Sequence, residues 1–95
     1  MSRDKAPSEG SPSIEFLIES AMDLVNHTIL RKAEAVVSLE ESKDGWHVVV
    51  EALERKCIPD SQDLLSRYQL NFSANGKILG WKQILVRKRL DHYSV

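Results

Sequence analysis

Cysteine is nearly absent from this chain of 95 residues: Cys57 stands alone. One thiol excludes an internal disulfide framework, and no Cys/His spacing of the kind that holds zinc surrounds it, so a reducing compartment, the cytoplasm, is expected. Long apolar runs are missing as well. No uninterrupted stretch approaches the ~18 residues that cross a bilayer, and Arg3, Asp4 and Lys5 lead into no apolar segment, so neither secretion nor a membrane partner is expected. Glycine is scarce, with four residues. Gly45 and Gly76 read as hairpin residues and Gly10 belongs to a polar beginning, which leaves no phosphate-cradling loop. His27, His47 and His92 are scattered without a clustered carboxylate or cysteine, so no metal and no cofactor is expected. Asp60 and Asp63, three apart, suit helix capping better than cation binding.

Charge of one sign is also lacking, since the net value is −1. The distribution is uneven. Residues 1–42 hold four basic and eight acidic groups, whereas residues 43–95 hold nine basic and six acidic, a tilt of −4 against +3. Lys82, Arg87, Lys88 and Arg89 concentrate positive charge near the end, either as an edge strand guarded against aggregation or as a contact for an acidic partner.

What is present is periodic. Residues 1–12, MSRDKAPSEGSP, have no apolar period and read as a disordered polar tail, leaving residues 13–95 as a single small domain. A domain of that size buries only ~60–65% of the surface its unfolded chain exposes, so its core is thin. From Ser13 to about Leu30, apolar residues recur at spacings of three and four and predict one long helix, with Ser11-Pro12 or Ser13 capping its start. Arg31 and Lys32 suit its far end. The period then changes to two: Ala35, Val37 and Leu39 alternate with Glu34, Val36, Ser38 and Glu40. The run ends at Asp44-Gly45, a hairpin signal. Trp46 to Lys56 returns as a strand, because the branched residues Val48-Val49-Val50 crowd a helical turn. Pro59 stops it, and Asp60 is placed to cap a short helix that turns Leu64 and Leu65 to the core. A second hairpin runs from Arg67 to Ser73, turns at Ala74-Asn75-Gly76 and returns from Lys77 to Arg89. Tyr68, Leu70 and Phe72 share one face there. A bulge near residues 80–83 reconciles the parity of Leu79 and Trp81 with that of Ile84 and Val86. The fold class is α+β: one long helix on a four-stranded antiparallel sheet made of two hairpins, with a short helix between them. Trp46, Trp81 and Tyr68 are expected in the core, and base stacking by them or by Tyr93 lacks the accompanying aromatic and basic pattern.

Two glutamates, Glu51 and Glu54, interrupt the second strand. Alternation puts side chains three apart on opposite faces, ~10 Å from each other along the strand, so the pair cannot flank one bond as acid and base. Trp46, Val48, Val50 and Ala52 share the Glu54 face; Val49, Glu51, Leu53 and Arg55 line the other. Arg55, Arg67 and Lys82 are the expected cross-strand partners of the two carboxylates. A mixed apolar and charged strip suits a reversible protein interface, so Val49, Glu51, Leu53 and Arg55, together with Arg87, Lys88 and Arg89, are the candidate partner-binding residues. No catalytic residue is assigned.

Gly45-Trp46, Val48, Val50-Glu51, Glu54-Arg55, Ile58-Pro59-Asp60, Asp63-Leu64-Leu65, Tyr68, Leu70 and Asn75-Gly76, followed by a basic strand, form an ordered pattern that resembles the gas vesicle protein O family. The resemblance makes Trp46, Glu54, Pro59, Asp63, Tyr68 and Gly76 motif residues of structural role. It implies an accessory protein for assembly of the gas-filled protein shell, without catalytic activity. Expected partners are other gas vesicle accessory proteins, the P-loop ATPase among them, and the shell protein; a homo-oligomer is compatible. Two other classes stay open at this stage. A cone-shaped, nuclear-transport-factor-like enzyme or ligand-binding domain requires a deep cavity lined by Glu54 and a histidine. A nucleic-acid binder requires the basic last strand to be its contact.

Overall fold

The computed structural model describes residues 12–90. The expected polar tail, apart from Pro12, lies outside the described residues, as do His92 and Tyr93. Helix α1 spans Ile14–Leu24 and runs on into a π-helical turn, Val25–Ile29. Ser13 is the cap: its hydroxyl accepts from the Phe16 amide at 3.0 Å, satisfying one of the first-turn donors that have no helical partner. Leu17, Ala21 and Val25, four apart, form the buried stripe. The helix ends where Leu30 takes a left-handed conformation (φ 65°) and the Arg31 amide closes back on the Val25 carbonyl at 3.0 Å. Asn26 Oδ1 then accepts from the Ala33 amide, fixing the angle at which the chain enters the sheet.

Four antiparallel strands follow: β1 (Lys32–Ser42), β2 (Gly45–Arg55), β3 (Leu64–Ser73) and β4 (Ile78–Lys88), in spatial order β1-β2-β3-β4. In the first hairpin Ser42 pairs with Gly45, so the turn residues are Lys43 and Asp44 and the glycine is already in the strand. Its role is close approach: a Cβ at Gly45 would stand 1.9 Å from the Phe72 carbonyl oxygen. Gly76 serves the second turn differently, with φ at 90°, a conformation side chains disfavour. The connection between the hairpins corrects one expectation. It holds a single 3₁₀ turn, Asp60–Gln62, and Leu64 and Leu65 already belong to β3. Pro59, joined to Ile58 by a cis peptide bond, precedes that turn, and Asp60 supplies no side-chain cap.

Val48, Val50 and Ala52 of β2 and Tyr68, Leu70 and Phe72 of β3 meet the helix stripe to form the core. Strict alternation fails on both edge strands. In β1 the register slips at Glu34 and at Val37, so Ala33, Val36 and Leu39 face the helix while Val37 is 40% exposed. In β4 it slips at Leu79 and at Ile84, bracketing the expected bulge. Each slip adds one residue and reverses the parity that follows. Trp46 packs against the core as expected, but Trp81 is 45% exposed and meets the Tyr68 ring in a T-shaped pair at 5.9 Å between centroids. A helix about 10 Å wide spans only some two strands at ~4.8 Å spacing, and α1 lies over β1 and β2. The helix-side row of β4 is left beyond its reach.

Candidate functional site

Glu51 and Glu54 occupy opposite faces, as alternation requires, and each is met by arginine. On the helix side, Glu54 Oε1 accepts from Ser66 Oγ and from the Tyr68 hydroxyl, both at 2.8 Å, while Oε2 pairs with an Arg31 Nη at 3.1 Å. Gln83 Nε2 donates to Ser66 Oγ at 2.9 Å and completes the chain of polar contacts. The Arg31 hydrogen bond, aided by those of Ser66 and Tyr68, outweighs desolvation and holds the carboxyl down to about 2. Burial and the adjacent carboxylate push the Tyr68 phenol up.

On the open face Glu51 is 9% exposed and lies between two arginines. Arg87 grips it with Nε and Nη at 2.9 and 2.8 Å, and Arg67 Nε, directly across the β2–β3 ladder, donates at 3.1 Å. Desolvation alone would raise this carboxyl; the Arg87 and Arg67 hydrogen bonds overcome it and the net direction is down.

A third carboxylate closes one end of the sheet. Asp63, 1% exposed, accepts from the Cys57 amide at 2.8 Å and pairs with an Arg89 Nη at 3.1 Å and with Lys56 Nζ at 3.7 Å. The Cys57 amide is the main cause that keeps its carboxyl low, and Arg89 and Lys56 add to it against desolvation. Arg89 also takes both Glu34 oxygens, at 3.2 and 2.9 Å. That guanidinium therefore ties the last residues of β4 to β1 across two intervening strands, which in a flat sheet would stand ~14 Å apart. Glu34 pushes the Arg89 group further up. At this end Leu65, in the row of Arg67 on the open face, is 2% exposed.

The candidate residues thus divide. Glu51, Arg87 and Arg89 are engaged internally, and a charge change at Glu51 acts on a buried group, not the exposed one that a free docking face would need. Val49 and Leu53 are half-buried on the open face. Arg55, past a slip at Glu54, pairs with Leu64 and leaves their row. Lys88 is exposed on β4. Of the expected carboxylate partners only Arg67 serves; Lys82 sits opposite Gln69, one row away, and Arg55 reaches neither acid. Tyr68 and Asp63 support the network, Gly76 makes its turn, and Pro59 is exposed beside the 3₁₀ turn. Arg31, Ser66, Gln83 and Glu34 are partners that the sequence did not point to, Arg31 suiting only the helix end. Their sequence signal was weak, because each partner is brought in by strand order or by a register slip.

This arrangement is poor in acid–base chemistry. A general acid needs a carboxyl raised toward neutrality, and all three are driven the other way. Two grooves, of about 410 and 300 Å³, are lined respectively by His27 and Asp23 beside Ile78, and by His47 and Asp44 beside Leu79. Glu54 lines neither of these two. No group of three or more metal-ligating side chains exists among the described residues, and no helix among them is long and apolar enough to cross a membrane.

The chain is similar to gas vesicle protein O1 of Halobacterium salinarum, 35% identical over 73 residues, covering 77% of this chain and 58% of that protein. It is 35% identical over 74 residues to gas vesicle protein O of Haloferax mediterranei (77% and 50%), and 32% identical over 78 residues to gas vesicle protein O of a Streptomyces species (82% and 61%). It thus spans between half and about three-fifths of these relatives' length. No solved structure matches it. The model of the family described as gas vesicle synthesis protein GvpO matches residues 2–91, nearly the whole chain, and the protein belongs to that family.

Proposed function

We propose that this protein is a non-enzymatic accessory factor in gas vesicle formation, working in the cytoplasm through contacts with other proteins. Family membership supplies the biological setting. The observation that carries the non-enzymatic half is the pairing of Glu51, Glu54 and Asp63 with arginine in three separate places, each carboxyl lowered. Such pairs orient strands and hold charge fixed; they do not present a reactive group to a substrate. Its partners in this reading are other gas vesicle accessory proteins, including the cluster's P-loop ATPase, and the shell protein.

Deleting the gene in a vesicle-forming host tests the role. Loss of buoyant vesicles, restored by the intact gene, is the expected result, and unchanged vesicle formation would overturn it. Cross-linking followed by identification of the captured accessory proteins tests the partner assignment. A variant that melts cooperatively at the normal temperature but captures none of them would mark the contact surface.

A further inference from the structure

The two edges of the sheet are built differently. β1 guards its edge with Lys32, Glu34, Glu40 and Glu41, and of its large apolar residues only Val37 is prominently exposed. β4 leaves Ile78, Leu79, Trp81, Ile84, Leu85 and Val86 between 40% and 64% exposed. They include both faces of the strand and both bulge residues, and among the described residues no strand pairs with its outer edge; a second helix would cover one face only. Exposed apolar strand edges of this kind are normally blunted or covered.

Charge says what kind of neighbour fits. Residues 64–90 contain no acidic residue and six basic ones: Arg67, Lys77, Lys82, Arg87, Lys88 and Arg89. Arg67, Arg87 and Arg89 are held by Glu51, Asp63 and Glu34, whereas Lys77 and Lys82 are exposed and meet no carboxylate among the described residues. Register puts Lys82 opposite Gln69 on the open face and Trp81 opposite Leu70 on the helix face, between the slips at Leu79 and Ile84. Pairing β4 with β4 of a second copy would set these lysine-bearing edges against each other, an unfavourable juxtaposition.

We propose that β4 is a docking edge for an extended acidic segment of a partner protein. The segment adds as a fifth strand centred on Trp81 and Lys82, with apolar side chains on the helix-side row and glutamate or aspartate on the Lys82 row. Backbone pairing supplies affinity and the alternating pattern supplies selectivity. The proposal deepens the accessory role by naming the surface and the chemistry of its partner.

The test uses the purified full chain and three labelled peptides of about seven residues: one alternating valine and glutamate, one alternating valine and lysine, and the glutamate peptide N-methylated at every second residue. Fluorescence anisotropy at low salt is expected to show the glutamate peptide binding at least about tenfold tighter than the other two, with affinity falling as salt rises. Lys82→Glu, at an exposed position, should reverse the preference between glutamate and lysine peptides without lowering the melting temperature. Failure of the glutamate peptide to bind, equal binding of both charges, full affinity after N-methylation or an unchanged preference in Lys82→Glu would each overturn the proposal. Sedimentation showing that the chain associates with itself through this edge would overturn it too. Failure here with vesicles still dependent on the gene removes the edge and leaves the accessory role. The converse result, peptide selectivity without any need for the gene, removes the role and leaves the edge.

Discussion

β2 and β4 are both eleven residues long, both rich in branched and aromatic residues, and both contain a glycine and charged residues. In β2 the glycine is trapped under the Phe72 carbonyl and Val48, Val50 and Ala52 are sealed. In β4 nothing lies within 4 Å of a Cβ placed at Gly80, and nearly every side chain is exposed. The same kind of segment is core in one place and surface in the other because β2 has a strand on each side and α1 above it. Among the described residues β4 has one neighbouring strand and no helix over it. Apolar content therefore sets which strands are able to be interior, and sheet order sets which one is.

Paired substitutions break or sharpen that contrast, and the glycines give the widest gap. Gly45→Ala forces the β2–β3 ladder apart and is expected to cost about 3 kcal/mol or more in urea denaturation, enough to unfold a domain this small. Next comes Glu51→Gln, which leaves Arg67 and Arg87 facing a neutral amide in a poorly hydrated site. A loss of about 2–3 kcal/mol is expected, somewhat below a fully buried pair because Arg67 is partly solvated. Val50→Ala should cost about 2 kcal/mol and Val86→Ala about 1 kcal/mol or less, since only the first opens a cavity. If the two valines cost the same, β4 is covered in solution.

Acid titration addresses the helix-side network. Glu54 is lowered in the folded state, so its contribution is fully present above the ordinary carboxyl value of 4.5 and is lost as pH falls through about 2. Allowing for solvent screening, that contribution is on the order of 2 kcal/mol, and Glu54→Gln should flatten the pH dependence of stability between those limits. Smallest of all is Gly80→Ala, expected within about 0.5 kcal/mol of neutral in the same denaturation measurement.

The two-hairpin architecture and the helix were legible because their signals are local: Ser13 ahead of an apolar stripe, Val48-Val49-Val50, and Gly76 in its turn. The opposed faces of Glu51 and Glu54 were legible for the same reason, as alternation needs no knowledge of neighbours. Their partners were not. Arg31 reads as a helix-end cation and Arg87 as one of a basic run, and only the sheet order carries Arg87 over β3 to reach Glu51. Strict alternation put Val37 on one face with Ala35 and Leu39, and core packing was expected of Trp81. The slips in β1 send Val37 outward, and the position of β4, beyond the span of one helix, leaves Trp81 half in solvent.

By itself, then, the sequence determined the element types, their order and the separation of the two acids. Chain-local sterics and side-chain periodicity act over a few residues and so are written in consecutive letters. Tertiary structure alone decided which arginine neutralises which carboxylate, how Arg89 fastens β4 to β1, and that an apolar, basic strand ends at an unpaired edge. Those outcomes depend on register slips and on the limited width of one helix, quantities fixed only when distant segments meet.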